Sequence, residues 1–433
     1  FFALVLSPFG AANLGFPAVI RRILRIAIQI LRSFPALILA LTATFLFGLG
    51  TFAGTFAITL YTFAIMTKLT YEDASAADVK AYQALRAMGV SKYVAYIHGI
   101  LPEIIPGFLT NALYLLETNV RHSSILGYVG AGGIGLLLNE KISWLEYDKV
   151  GTILLMLFLT VCVIEYFSRY LAALIRKERT IKKEQARLLL LFLAALFLIC
   201  TFTLSLPDFS RTSPQTLRNM FAGFLQPDWS FFFSAEKDGL GYLLLETVCI
   251  AFIGTVIGAI VSAPLAFLNT KRFVPAPVSF LFNLVIMVIR SVPFLVYGLI
   301  FIRVSGPGAF TGVLTLAVCS IGLLTKRFTE ALDALDPRPY HALLAMGVRP
   351  LPAICHSVLP QLKPVFTSII LYRFDVNIRE ASVLGLVGAG GIGAPLIFSM
   401  NQYAWEKAGA IMLGLILLVW FIDMVSEKIG AGN

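Results

Sequence analysis

Apolar positions in this chain run in blocks too long and too uninterrupted for a soluble core. Residues 188–206 (LLLLFLAALFLICTFTLSL) and 408–422 (AGAIMLGLILLVWFI) carry almost no polar side chain. A run of roughly 20 apolar residues matches the thickness of bilayer hydrocarbon. In lipid such a run must be a helix, since its backbone groups have no water to bond. In the second half of the chain the pattern predicts spans at 188–206, 243–268, 278–303, 309–327, 362–386 and 405–425. Between the first two of these, Pro207, Pro214 and Pro227 and the aromatics Trp229 to Phe233 predict an interfacial loop and a short helix on the external side.

Composition strengthens that reading. Of 433 residues 58% are hydrophobic and 13% charged, against about 25% charged in a soluble domain, and mean hydropathy is +0.85. The net charge of +10 comes from basic residues lying between apolar runs rather than on a polar domain, which argues against nucleic acid. Cys162, Cys200, Cys249, Cys319 and Cys355 are scattered, with no pair at ligand spacing, so they are expected to be buried structural thiols and no metal site is expected. The sequence opens Phe-Phe-Ala inside an apolar stretch, and an N-terminal helix or two of the first repeat is expected to be missing from it.

The chain contains one unit twice. Shifting the sequence by 258 residues aligns 82–135 with 340–393 without a gap, and 27 of those 54 positions are identical. Upstream, Arg32, Ser33 and Pro35 meet Arg290, Ser291 and Pro293, and Thr67-Lys68 meets Thr325-Lys326. The linker 176–187 (RKERTIKKEQAR) joins a first repeat, 1–175, to a second, 188–433, and its charge places it in the cytoplasm. Six spans then return the C-terminus to that side. The expectation is an all-α polytopic membrane protein of two parallel tandem repeats, each of about five to six transmembrane helices.

One segment of each repeat is too polar to span. It reads AYQALRAMGVSKYVAYIHGILP at 81–102 and PYHALLAMGVRPLPAICHSVLP at 339–360. Small residues followed by Gly89 or Gly347 suit a short helix ended by the glycine. Leu101-Pro102 and Leu359-Pro360 suit the restart of a membrane helix, because Pro is tolerated in the first turn.

A second block reads ETNVRHSSILGYVGAGGIG (117–135) and DVNIREASVLGLVGAGGIG (375–393). Its glycines, Gly130, Gly132, Gly133 and Gly135 with Gly388, Gly390, Gly391 and Gly393, follow a membrane helix rather than a strand, which excludes a dinucleotide site. They permit either close helix packing or a gate. No phosphate-binding G-x-x-x-x-G-K-[ST] occurs and no catalytic set clusters, so the chain is not expected to be an enzyme. Asn119, Arg121, Asn377 and Arg379 lie in the outer part of a span, and Arg32 and Arg290 well inside another. An arginine at helix centre costs roughly 2.5–3.5 kcal/mol on insertion scales. Structural pairing with Glu117 and Asp375 accounts for such residues, and so does an anion pathway.

The polar segment resembles the cytoplasmic "EAA" loop of ABC importer permeases, which docks into the ATPase subunit. Gln83-Ala84 and His341-Ala342 stand where that family has Glu-Ala, so the loop is matched in place and not in its Glu. Together with Arg-Ser-x-Pro and N-[VI]-R-x-[SA]-S-[IV]-L-G-x-V-G-A-G-G-I-G, the chain resembles the permease of phosphonate importers, a group that also moves phosphite and related oxyanions. Methionine-type permeases share part of the pattern. The resemblance implies a bacterial inner-membrane location, two ATPase subunits carrying ATP and Mg, no cofactor in this chain, and one extracytoplasmic solute-binding protein. It further implies that one chain supplies both halves of the conduit. A secondary transporter driven by an ion gradient leaves the paired loops without a purpose.

Overall fold

Two of the sharpest helix breaks in this protein fall where proline follows a residue that it forces out of the helical region. Val292 before Pro293 is extended (φ −78°, ψ 124°), as is Phe34 before Pro35 (φ −79°, ψ 124°), because the proline ring disfavours helical backbone one residue upstream. The computed structural model describes residues 2–175, 183–204, 214–234, 236 and 239–431. The first seven residues of the basic linker lie outside them. Contacts divide the chain into two compact units, Phe1–Leu217 and Arg218–Asn433.

The first unit comprises α1 (Phe2–Gly10), α2 (Ala18–Ser33), α3 (Ala36–Phe47), α4 (Thr51–Ala76), α5 (Lys80–Ala87), α6 (Lys92–Gly99), α7 (Leu101–Leu126), α8 (Ile134–Ser143), α9 (Tyr147–Ile175) and α10 (Lys183–Phe202). The boundary falls within α11 (Pro214–Leu225). The second unit continues with α12 (Trp229–Phe232), α13 (Leu240–Asn269), α14 (Ala276–Ser291), α15 (Phe294–Ser305), α16 (Ala309–Ala334), α17 (Arg338–Ala345), α18 (Pro350–Ala353), α19 (Leu359–Leu384), α20 (Gly393–Asn401) and α21 (Trp405–Ala431). No strand occurs among the described residues. Among the described residues six helices are long and apolar enough to cross a bilayer, and three further pairs are bent at a short break.

One of those pairs corrects the sequence reading. The expected span 278–303 is α14 and α15, meeting at 85°, and α2 and α3 meet at 89° in the same place of the first unit. Apolar patterning runs unbroken through the junction, so only the proline marks it. Arg290 is therefore not at the centre of a helix but in the last turn of α14, and Arg32 is in the last turn of α2. There the helix dipole presents its negative end, which favours a cation.

Within the second unit α13 and α16 approach closely along Gly254 and Gly258. A Cβ on Gly258 would stand 2.4 Å from the Ser320 Cβ, and one on Gly254 2.8 Å from the Leu316 Cβ. Small residues four apart let two backbones meet, and dispersion then replaces the hydrophobic force that lipid cannot supply. The thiols depart from expectation: Cys319 is buried, while Cys200, Cys249 and Cys355 are exposed. A thiol behaves as a small hydrophobe, so an apolar environment outside the helix bundle suits it as well as the interior.

Candidate functional site

Each polar segment folds as a helical hairpin with the same turn. In the first unit Gly89 (φ +86°) ends α5, with the Val90 N–H on the Leu85 carbonyl (3.2 Å) and the Gly89 N–H on that of Arg86 (3.1 Å). In the second, Gly347 (φ +82°) ends α17, with Val348 on Leu343 (3.1 Å) and Gly347 on Leu344 (2.9 Å). This 6→1 and 5→2 pairing needs a left-handed residue after the last helical turn, and glycine takes it without a Cβ penalty. The turn leaves Met88 and Met346 projecting, 70% and 71% exposed, beside exposed Gln83, Ala84, His341 and Ala342. Pro102 and Pro360 lie in the first turns of α7 and α19.

The start of each hairpin is fixed by an acid two residues ahead of the helix. Asp78 Oδ1 accepts the Lys80 N–H, and Asp336 Oδ1 the Arg338 N–H, each at 3.0 Å. Those backbone bonds, then the basic side chains of the same residues, hold both carboxyls below the usual carboxylate range. The first hairpin is also anchored inward. Tyr82 donates to the Leu14 carbonyl (2.6 Å) and Tyr96 shares a bond with Ser7 (2.7 Å), within a cluster including Ala11, Ala74, Ala95 and Ile100.

The glycine blocks fold as a sharp return. After α7 and α19, 3-10 turns over Gly127–Val129 and Gly385–Val387 lead into glycines of positive φ (Gly130, Gly132 and Gly133; Gly388, Gly390 and Gly391). Gly135 and Gly393 lie in the first turns of the helices that come back alongside. A Cβ on Gly135 would lie 2.0 Å from the Ser124 carbonyl oxygen, and one on Gly393 2.2 Å from that of Ser382. Close backbone packing thus occupies these positions. The same loop is tied to the turn between α3 and α4, or α15 and α16, with the Gly50 N–H on the Gly130 carbonyl (3.0 Å) and the Gly308 N–H on that of Gly388 (2.9 Å). In the second unit α13 holds the loop as well: Glu246 Oε2 accepts the Gly391 N–H (3.1 Å) and Thr247 Oγ1 the Ile392 N–H (3.0 Å).

The polar residues before the glycines face other helices. Asn119 Nδ2 donates to Thr62 Oγ1 (2.8 Å), joining α7 to α4. Asn377, fully buried, donates to Thr255 Oγ1 (2.7 Å) and Ser320 Oγ (2.9 Å), joining α19 to α13 and α16. Arg121 pairs with Glu117, and Arg379 with Asp375, one turn apart. Arg373 and Glu380, which sequence patterning did not single out, form a further buried pair at 2.7 Å, and the Arg373 Nε donates to Ser320 at 3.1 Å. Their signal was a spacing of seven on one helix face. Arg32 and Arg290 are half-buried at the two helix breaks, and the Arg290 stem packs on Gly322, whose missing Cβ would sit 2.9 Å from its Cγ.

The paired fold has a matching family. The binding-protein-dependent transport system inner membrane component matches residues 4–180 and, a second time, residues 254–429. The chain belongs to that family. Its membership makes it the permease subunit of an ABC importer, a multi-pass protein of the bacterial inner membrane, with the unit present twice. The phosphate-import permease protein PhnE of Mycolicibacterium smegmatis is 28% identical over 418 residues, which cover 95% of this chain and 77% of that one. The phosphite transport system permease protein PtxC of Stutzerimonas stutzeri is 36% identical over 184 residues, 42% of this chain and 67% of the relative. Among solved structures, an inward-facing MetNI methionine ABC transporter is similar over 44% of this chain and 96% of its own, at 18% identity and a TM-score of 0.41.

Proposed function

We propose that this permease conducts a phosphorus oxyanion, phosphonate, phosphite or phosphate, and that it docks two ATPase subunits, one on each hairpin. The same glycine-ended hairpin turn, after α5 in one unit and after α17 in the other, carries the docking reading: a surface presented twice, with a projecting methionine each time, suits two copies of one partner. Similarity along nearly the whole chain to a phosphate-import permease, and over 42% and 46% of it to two phosphite permeases, supports the solute class. An extracytoplasmic binding protein delivers the solute, and the ATPase hydrolyses ATP with Mg, so no bond in the solute breaks here.

In the anion pathway Arg121 and Arg379 are already offset by Glu117 and Asp375, and the asparagines tie helices together. Arg32 and Arg290, half-buried in the last turns of α2 and α14 before the two breaks, are the groups assigned to stabilise the anion. Their attraction grows as the surroundings lose water, and it must stay weak enough for release. Glycine return loops that fold back on themselves are suited to gate such a path.

Uptake by proteoliposomes holding the chain, its ATPase and its binding protein tests the solute class. Phosphonate, phosphite or phosphate is expected to enter with ATP and to stop without it. Uptake of methionine in place of any phosphorus oxyanion would overturn the reading. Native mass of the solubilised complex tests the count, with two ATPase subunits expected per chain.

A further inference from the structure

Helix α2 separates charge from apolar surface along its whole length. Val19, Ile23, Ile26 and Ile30, at spacings of four, three and four, form one stripe and are 69%, 63%, 51% and 42% exposed. Arg21 and Arg25 hold the opposite face, with Arg22 at its edge. Arg25 Nε donates to the Gly10 carbonyl (3.0 Å) and its guanidinium lies 5.1 Å over the Tyr71 ring, while Arg21 reaches the Ala12 carbonyl (3.5 Å). These contacts put the arginines at the end of α4 that carries the α5–α6 hairpin. None of the three has a carboxylate within ion-pair reach among the described residues, and Arg22 is exposed.

The second unit supplies an internal control. Its α14 occupies the same place, bends from its successor by 85° against 89°, and keeps the stripe with exposed Leu281, Leu284 and Val288 in place of Ile23, Ile26 and Ile30. Yet the three arginines are replaced by Ser279, Phe280 and Asn283. Ser279 closes the preceding helix end with a neutral hydroxyl on the Asn269 carbonyl (2.6 Å). The fold therefore does not need the cations, and capping a helix end does not need them either.

We propose that α2 is an interfacial anchor whose arginines bind the phosphate headgroups of anionic phospholipids in the cytoplasmic leaflet. Its isoleucine stripe lies among the acyl chains and its basic face at headgroup depth, as in membrane-surface helices. A guanidinium fork matches phosphate oxygens in pairs, a geometry that neutral or ammonium groups lack. Cations near such a surface each strengthen binding roughly fivefold.

The test uses the purified full chain in nanodiscs or detergent, with phosphatidylglycerol as the anionic probe and phosphatidylcholine as the neutral one. Native mass spectrometry reads the lipid retained. Arg22→Gln leaves both carbonyl contacts in place, and is expected to fold as wild type and to weaken phosphatidylglycerol retention roughly fivefold. The triple variant R21Q/R22Q/R25Q is expected to lose on the order of a hundredfold, with phosphatidylcholine unchanged. Conversely, Phe280→Arg with Asn283→Arg is expected to add retention at α14. Equal phosphatidylglycerol retention by wild type and both loss variants would overturn the proposal. So would its complete displacement by inorganic phosphate, which would assign the cations to a free anion.

Discussion

The Arg373 guanidinium meets the Glu380 carboxylate at 2.7 Å, two helical turns along α19, at positions where the first unit has Leu115 and His122. One repeat thus holds a buried ion pair that the other does without. The pair also reaches Ser320, which takes the Asn377 amide, so it braces the contact of α19 with α16.

Removing one partner of that pair leaves the other charge buried and uncompensated. Arg373→Leu is expected to destabilise the second unit by about 3–5 kcal/mol. Arg373→Leu with Glu380→His copies the first unit and is expected to recover most of the loss. Thermal unfolding of both variants in detergent decides it. A double variant no more stable than the single one would mean that the pair is irreplaceable in this environment.

The glycine return is expected to reject even a methyl group. Gly135→Ala places its Cβ on the Ser124 carbonyl, where overpacking costs about 1–3 kcal/mol or more. Gly151→Ala meets nothing within 4 Å, and is expected to be neutral or stabilising by up to about 1 kcal/mol. Melting temperatures of the two, measured side by side, should fall on opposite sides of wild type or nearly so.

Hairpin starts should tolerate acid well. The folded carboxyls of Asp78 and Asp336 titrate below their ordinary value of 3.8 because N–H donors hold the charged form. A depressed folded pKa adds stability that is complete above the unfolded value and disappears as pH falls through the folded one. Protection of the first-turn amides of α5 and α17 is thus expected to hold down to the ordinary carboxylate range and to fail below 3.8. In Asp78→Asn that acid step should vanish from α5. A decline already complete at about pH 5 would assign the step to another group.

Neutral substitutes should divide the four arginines. Arg379→Gln strands Asp375 and is expected to lower stability by several kcal/mol. Arg290→Gln is expected to lower anion uptake per folded complex while basal ATP hydrolysis continues. Arg290→Lys should restore part of the uptake, since the point charge survives without the fork. Normal uptake per folded Arg290→Gln complex would remove that residue from the pathway.

Much of this architecture was legible because membrane helices and duplications leave coarse signals. The 258-residue shift, the long apolar runs and the Gly to Leu-Pro spacing each report on backbone requirements that few sequences meet by accident. The bends at Pro35 and Pro293 were hidden by continuous hydropathy, which registers burial in lipid but not direction. The Arg373–Glu380 pair was hidden because a spacing of seven gives little signal beside the adjacent i, i+4 pair Asp375–Arg379. Charge at α2 was read only as a bias between spans, and its alignment on one face emerged once the helix bounds were known.

The clasp between Gly50 and Gly130, repeated between Gly308 and Gly388, is made of main chain alone. Its length differs by 0.1 Å between the units (3.0 against 2.9 Å), although the residue before its donor is Leu49 in one and Pro307 two positions on from Ser305 in the other. Away from these glycines, which need their positive φ, a substitution leaves both the donor and the acceptor of the bond in place. Selection, or a protein engineer, is then free to redraw the neighbouring side chains for a different cargo while the main-chain clasp stays in place.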